Sequence, residues 1–375
     1  MAGIYIHIPF CKQACYYCDF HFSTSLKKKE DMLSALKIEL VLRKNELINQ
    51  TIDSIYFGGG TPSLLSAEEI DWLIGLIKID YNVSDTAEIT LEANPDDLTR
   101  QKIKELSKTP INRLSIGIQS FFEDDLKSMN RAHNANEAKE CLENATQYFD
   151  NITIDLIYGI PEMNLQKWNS NLQTTFSFGI NHISSYALTV EPKTALDSFI
   201  KKGKYPPIVE TLALEHFNHL ISETQKQGFV HYETSNFGKP DYFSKHNTSY
   251  WQGKSYLGIG PSAHSYNGLQ RSWNVANNTK YIKTILDHKL PQEIETLTKN
   301  DRFNEYIMTG LRTIWGISLD TVREDFGEEF LNHLLLNSKN YINQNLLRIK
   351  EEKIITTQKG KFLIDGIASD LFFVA

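Results

Sequence analysis

Three of the four cysteines in the chain, Cys11, Cys15 and Cys18, fall within eight residues of the segment YIHIPFCKQACYYCDF, residues 5 to 20. The spacing Cys-x3-Cys-x2-Cys puts three soft ligands on one short loop. A closed zinc site normally takes four ligands, and an isolated redox pair needs two. Three cysteines suit a [4Fe-4S] cluster in which one iron has no protein ligand, whereas an electron-transfer cluster usually has four. An open iron can bind a substrate or a cofactor. A zinc site completed by His7 or Asp19 is the alternative that spacing leaves open. Cys141 stands alone in a helix-like pattern, and the four together do not resemble a secreted disulfide framework. Their use points to a reducing compartment and a metal site.

The loop follows a strand-like alternation, GIYIHI (3 to 8). Similar runs occur at IDSIYF (52 to 57), EITLE (88 to 92), NRLSIGI (112 to 118), NITIDLI (151 to 157) and HISSYAL (182 to 188). Helix-like spacing of apolar residues separates them, over 28 to 49, 66 to 79, 98 to 107, 135 to 149 and 165 to 178. Ser66 and Glu69 form a capping-box signature for the second of these. The alternation predicts an α/β fold whose parallel sheet is open or curled into a partial (β/α)6 barrel. In such sheets ligands bind at the C-terminal ends of the strands.

Those ends carry chemistry throughout. The second strand runs into GGGTPS, with Gly59, Gly60 and Thr61; Glu92 ends the third, Gln119 the fourth, and DLIYGIP, beginning at Asp155, closes the fifth, while Glu191 follows the sixth. Each alone fits a turn or a cap. Gathered on one rim, carboxylates, amides and bare backbone suit an amino-acid-like, ribose-bearing cofactor beside the cluster.

Beyond residue 200 the alternation fades. A long helix is predicted over 207 to 227, then a loop-rich aromatic stretch from HYETSNFG to GIGPSAHSYNG. Helical patterns return at RFNEYIMTGLRTI and EEFLNHLLLNSKNYINQN, and the strand-like runs KIITTQ and KFLIDG end the chain as a small α+β, winged-helix-like domain. Three units follow: 1–200, a partial barrel; 201–295, a connecting helix and loop-rich region; and 296–375, the C-terminal α+β domain.

With 375 residues, 41% hydrophobic and 23% charged, the composition is that of an ordinary globular chain, long enough for more than one domain. No apolar run approaches the ~20 residues of a membrane span, and no secretory signal is visible. A cytoplasmic location is the expectation. A net charge of −7 argues against nucleic acid as a main partner.

The sequence resembles the radical S-adenosylmethionine (SAM) superfamily. Across the chain YIHIPFCKQACYYCDF, YFGGGTPS, LEANPDDL, RLSIGIQSF, RAHN, IDLIYGIP, HISSYALTVEPKT and YLGIGPSAHSY resemble, in order, its oxygen-independent coproporphyrinogen III oxidase-like branch, and within it the HemW-type haem chaperones. The resemblance implies that Cys11, Cys15 and Cys18 hold a [4Fe-4S] cluster and that SAM chelates its open iron. One-electron transfer from that cluster would cleave SAM to methionine and a 5′-deoxyadenosyl radical. Tyr5, Gly59, Gly60, Thr61, Glu92, Gln119, Arg131 and Asp155 stand at the family's SAM-holding positions. Genuine oxidases of this branch carry a further cysteine at the position of Phe20 and a substantial segment ahead of the cluster, where ten residues precede Cys11 here. Both differences favour the chaperones. HNTSYW (246 to 251) matches the His-Asn-x-x-Tyr-Trp pattern of the HemW type and makes His246 a haem-binding residue, with His231 and His264 as alternatives. The implied partners are haem and recipient haemoproteins, including membrane-bound ones, and the family is compatible with a homodimer.

Overall fold

The computed structural model describes residues 1–374. Six strands, β1 (Ala2–Ile8), β2 (Ile52–Gly59), β3 (Val83–Ala93), β4 (Arg113–Gln119), β5 (Ile152–Tyr158) and β6 (His182–Ala187), pair in parallel in chain order. Their pleat sorts two chemistries. Ile4, Ile6 and Ile8, Ile55 and Phe57, and Ile89 and Leu91 are buried on one face, where helices such as Lys29–Leu42 and Ala67–Asp80 pack. The alternating residues form the other face: Tyr5 and His7, Ser54 and Tyr56, Glu88, Thr90 and Glu92, Arg113 and Ser115, Thr153 and Asp155, His182 and Ser184. A period of two therefore gives the curled sheet a polar inner surface. A cavity of about 50 Å³, bordered by Tyr56, Glu92, Arg113, Asp155 and Ser184, lies within it.

The parallel strands are the centre of a larger sheet. Six more strands, β7 (Val230–Glu233), β8 (Asn236–Gly238), β9 (Tyr256–Ile259), β10 (His264–Tyr266), β11 (Gln270–Asn274) and β12 (Gln292–Thr296), extend it in the order β12-β11-β10-β9-β1-β2-β3-β4-β5-β6-β8-β7. The sheet does not close into a barrel. A second core gathers around the helices Lys299–Leu311 and Glu328–Asn343 and a three-stranded antiparallel sheet of β13 (Ile317–Ser318), β14 (Leu347–Lys350) and β15 (Lys353–Thr356). No helix among the described residues is long and apolar enough to cross a membrane.

The capping box is present: Ser66 Oγ accepts from Glu69 N–H at 3.1 Å, and the Glu69 carboxylate accepts from Ser66 N–H at 2.7 Å. Two expectations change. KFLIDG is not a strand but a 3-10 turn, Lys361–Leu363, leading into the helix Ile364–Asp370. Ile364, Ile367, Ala368 and Leu371 recur at helical spacing and bury together, so the helix covers the second core as a strand would not. The stretch expected to be loop-rich contains the strands β7 to β10 and the helix Lys245–Trp251. These elements span three to seven residues, too short to show periodicity.

One buried carboxylate joins the added strands to the first helix. Glu39 accepts from Tyr281 Oη at 2.5 Å, Gly260 N–H at 2.8 Å, Asn274 Nδ2 at 2.6 Å and Arg43 Nη1 at 3.3 Å. Arg43 in turn donates to the carbonyl of Gly258 at 2.8 Å and to Ser265 Oγ at 3.1 Å. Removing the carboxylate leaves the buried donors of Tyr281, Gly260 and Asn274 without their acceptor, while Arg43 keeps Glu46, Gly258 and Ser265. Glu39→Ala is expected to lower the unfolding free energy by about 3 kcal/mol or more in urea titrations; a loss below about 1 kcal/mol, the range of an exposed pair, would show the network to be peripheral.

Candidate cofactor site

The cysteine loop is fastened at both ends. Cys11 N–H donates to the carbonyl of Ser23 at 3.1 Å, and Ser23 N–H donates to that of Pro9 at 2.9 Å. In its middle, Tyr16 N–H donates to the Met129 carbonyl at 3.1 Å, and Asn130 Nδ2 donates to the Ala14 carbonyl at 2.7 Å. The three thiols are half-buried. Burial raises the pKa of Cys11, and that of Cys18 to about 11, so a bound metal must displace their protons.

Among the described residues no three His, Cys, Asp or Glu side chains are grouped as a ready-made site for one metal ion. His7, one proposed completing ligand, lies inside the sheet. Its Nε2 is 2.9 Å from the His21 carbonyl and its Nδ1 3.3 Å from Tyr5 Oη.

The glycine segment presses directly on the loop. Gly60 N–H donates to the Ile8 carbonyl at 2.9 Å, and Thr61 N–H donates to that of Phe10 at 2.7 Å. A Cβ on Gly60 would stand 2.6 Å from the Phe10 carbonyl oxygen. At Gly59 it would stand 2.4 Å from the His7 ring, on a backbone with φ of +104°. Thr61 hydrogen-bonds the Cys11 thiol and accepts from Asn94 Nδ2 at 3.2 Å.

Arg131 approaches from the opposite wall. Its Nη1 lies 3.3 Å from Cys15 Sγ and 3.4 Å from Tyr17 Oη, while Nη2 donates to Asn94 Oδ1 at 2.6 Å and to the Gly117 carbonyl at 2.9 Å. It is not a surface ion pair. Its Nε is buried without a hydrogen-bond partner, beside the thiols. Gln119 ends β4 with a left-handed backbone, φ 64°, and its amide is close to Gly117 and Arg131.

Glu92 accepts from Tyr56 Oη at 2.7 Å and from Gly59 N–H at 3.2 Å. Asp155, two strands away, is bonded to Ser184. Desolvation raises both carboxyls to a pKa of about 7, and their mutual repulsion holds Glu92 up further. Tyr5 stacks on Tyr56 at 6.1 Å between ring centres.

The structure thus places Gly59, Gly60, Thr61, Glu92 and Gln119 at the C-terminal ends of β2 to β4 and Arg131 against Cys15, whereas Tyr5 and Asp155 lie midway along β1 and β5 on the inner face of the sheet. Three thiols, an incompletely used guanidinium, two carboxyls and backbone without side chains fit a [4Fe-4S] cluster with an amino-acid-bearing nucleotide. Sequence reasoning missed Tyr56 and Asn94. Alternation along β2 signals Tyr56, and Asn94 lies within LEANPDDL.

His246 is placed differently. It is buried inside the sheet, with Nδ1 2.8 Å from Ser54 Oγ and Nε2 2.8 Å from Tyr250 Oη, and its ring stacks on Tyr56 at 4.9 Å. Desolvation lowers its pKa to about 3, so it is neutral. Glu88 caps its helix, accepting from the N–H groups of Lys245 and His246 at 3.0 Å each.

The wall that His246 supports belongs to a cavity of about 1300 Å³. Tyr250, Trp251, Tyr256 and Tyr266 line it on one side, Tyr306, Trp315 and Phe326 on the other, and His7, Asp19, Phe20 and Gly59 at the cysteine-loop end. His264 also lines it, with its ring 5.9 Å from that of Trp273. Neither His246 nor His231 does.

A Radical SAM superfamily profile matches residues 5–173, and a HemN C-terminal domain profile matches residues 297–363. These matches define the class, and the relatives narrow it. Over 97% of both chains the protein is 33% identical to Heme chaperone HemW of Bacillus subtilis (strain 168) and 32% identical to that of Lactococcus lactis subsp. lactis (strain IL1403). Heme chaperone HemW of Haemophilus influenzae is 32% identical, over 97% of this chain and 96% of its own. The chain belongs to the HemW family. Among solved structures, the coproporphyrinogen III oxidase HemN of Escherichia coli has the same fold, with a TM-score of 0.85 at 22% identity, covering 99% of this chain and 90% of that one.

Raised carboxyl pKa values make the site sensitive to pH. Between about pH 4 and 7 the folded chain holds more protons on Glu92 and Asp155 than the unfolded chain does, so their contribution to stability falls as pH rises. Glu92→Gln relieves one of them. In ligand-free protein the variant is expected to gain about 1 kcal/mol or more relative to wild type between pH 5 and 8, read from urea unfolding; a difference independent of pH would contradict the assignment.

Proposed function

We propose that the protein is a haem carrier. In this reading Cys11, Cys15 and Cys18 hold a [4Fe-4S] cluster, Tyr5, Gly59, Gly60, Thr61, Glu92, Gln119, Arg131 and Asp155 hold SAM, and haem occupies the large cavity before passing to recipient haemoproteins. When bound, the reduced cluster and SAM supply one-electron chemistry at the cavity's inner end.

The observation that carries the reading is the cavity itself. Its volume of about 1300 Å³ exceeds the roughly 300–1,000 Å³ usual for small-molecule sites, and aromatic rings line it on two sides. Phe20 adds to this: it is 67% exposed at the cavity's cysteine-loop end, an apolar ring where the oxidases of the branch have a thiol. The names of the HemW relatives agree with haem as the guest.

His246 contributes by holding Tyr250 against the cavity. His264 is the better-placed iron ligand: it faces the cavity, and burial lowers its pKa, leaving a neutral imidazole. His264→Ala is expected to shift the Soret absorption of the haem complex, and His246→Ala to weaken haem binding without altering that band. If His246→Ala alone shifts the band, the ligand is His246.

Cluster-loaded protein titrated with haem tests the whole reading; saturable binding well above an unrelated control is expected, and binding no better than that control sinks it. Cys15→Ala is expected to lose most of the reconstituted iron and sulfide, since two thiolates cannot keep the three-ligand arrangement. Wild-type metal content in the variant would move the cluster elsewhere.

A further inference from the structure

The wall of the large cavity farthest in sequence from the cysteine loop contains charge that the haem reading does not yet use. Arg271, at the start of β11, and Arg302, in the helix Lys299–Leu311, both line it. Glu305, one turn beyond Arg302 on the same helix, pairs with Arg271 Nη2 at 2.8 Å. Arg302 has no ion-pair partner among the described residues, and its Nε is buried without a hydrogen-bond acceptor. Two guanidiniums and one carboxylate leave one uncompensated positive charge.

By count the remaining charged groups of the wall are three acids and one base, but among the described residues none of them forms an ion pair with Arg302. Asp19 follows the cysteine loop, Glu92 is held by Tyr56 and Gly59, and Asp325 and Lys353 come as one acid and one base from the C-terminal unit. An unpaired guanidinium nitrogen out of water is costly unless a ligand supplies the acceptor.

The adjoining surface is aromatic. Arg271 hydrogen-bonds Tyr256, whose ring lies 6.1 Å from that of Tyr266 and 4.4 Å, edge on, from that of Tyr250. An aromatic wall of mutually inclined rings therefore ends at a planar fork of N–H donors. We propose that Arg302, flanked by Arg271, is a carboxylate-binding subsite that anchors an acidic side group of the cavity's guest, a propionate of the tetrapyrrole. The inference rests on the haem reading and adds an orientation: propionates toward the helix Lys299–Leu311, with the opposite edge of the macrocycle toward the cysteine loop.

Haem and haem dimethyl ester distinguish the two claims, because they share the macrocycle and differ in charge at the propionates. Full-length wild-type protein, titrated with each and followed by Soret absorption, is expected to bind haem about tenfold or more tightly than the ester, the scale of a charged hydrogen bond. Arg302→Gln is expected to remove that preference by weakening haem alone, and Arg302→Lys to restore part of it. Arg271→Gln is an independent check, since it frees Glu305 to neutralise Arg302 and so should also erase the preference. Equal haem affinity in Arg302→Gln and wild type, or no preference in the wild type, overturns the subsite while leaving haem binding standing. Wild-type protein that binds neither compound overturns the haem reading, and the subsite with it.

Discussion

The structure depends on a close approach of two backbones. Gly60, just past the end of β2, lies against the backbone of Ile8 and Phe10 with no room for a Cβ, Gly59 beside it lies against the His7 ring, and the N–H groups of Gly60 and Thr61 donate to the carbonyls of Ile8 and Phe10. Those bonds tie the segment suited to a nucleotide to the segment bearing the thiols. The position of the cysteine loop relative to the glycine segment is thereby built into main-chain geometry, which side-chain motion cannot relax.

Around that contact the sheet is used asymmetrically. Its outer face is aliphatic and buried under helices; its inner face is polar, with carboxyls, hydroxyls and histidines on alternate residues. Burying such groups is unfavourable unless they find partners. Many do so within the protein: Glu92 with Tyr56 and Gly59, Glu88 with the helix of His246, His246 with Ser54 and Tyr250. Among the buried side-chain atoms without partners, Arg131 Nε belongs to the guanidinium that contacts Cys15 and Arg302 Nε lies at the outer wall of the large cavity; others, such as Arg312 Nε and His216 Nε2, lie at neither place.

Much of the first half of the chain was legible in its sequence, because its strands are long enough to alternate and their ends carry conspicuous residues. The three cysteines, the glycine segment, Glu92 and Gln119 are local signals. In the region from 201 to 295 the long helix was legible, Glu210–Lys226 against the predicted 207 to 227, but β7 to β10 were not, since they are three or four residues each and gain their stability by extending a sheet whose other strands are distant in sequence. His246 shows the same limit at the level of one residue. Its motif identifies it as important, but its neighbours Ser54 and Tyr56 lie nearly 200 positions away, and only folding shows that both its nitrogens are engaged. Arg302 gave no sequence signal, because its significance is the partner it lacks.

The central claim is carriage of haem by a fold shared with an oxidase. Anaerobic protein with a complete cluster, SAM, a strong reductant and coproporphyrinogen III tests it most directly, with porphyrinogen product and 5′-deoxyadenosine followed together. The account predicts no catalytic formation of decarboxylated porphyrinogen, from protein that demonstrably binds SAM. Repeated turnover to that product would contradict it and make the cavity an oxidase active site despite Phe20.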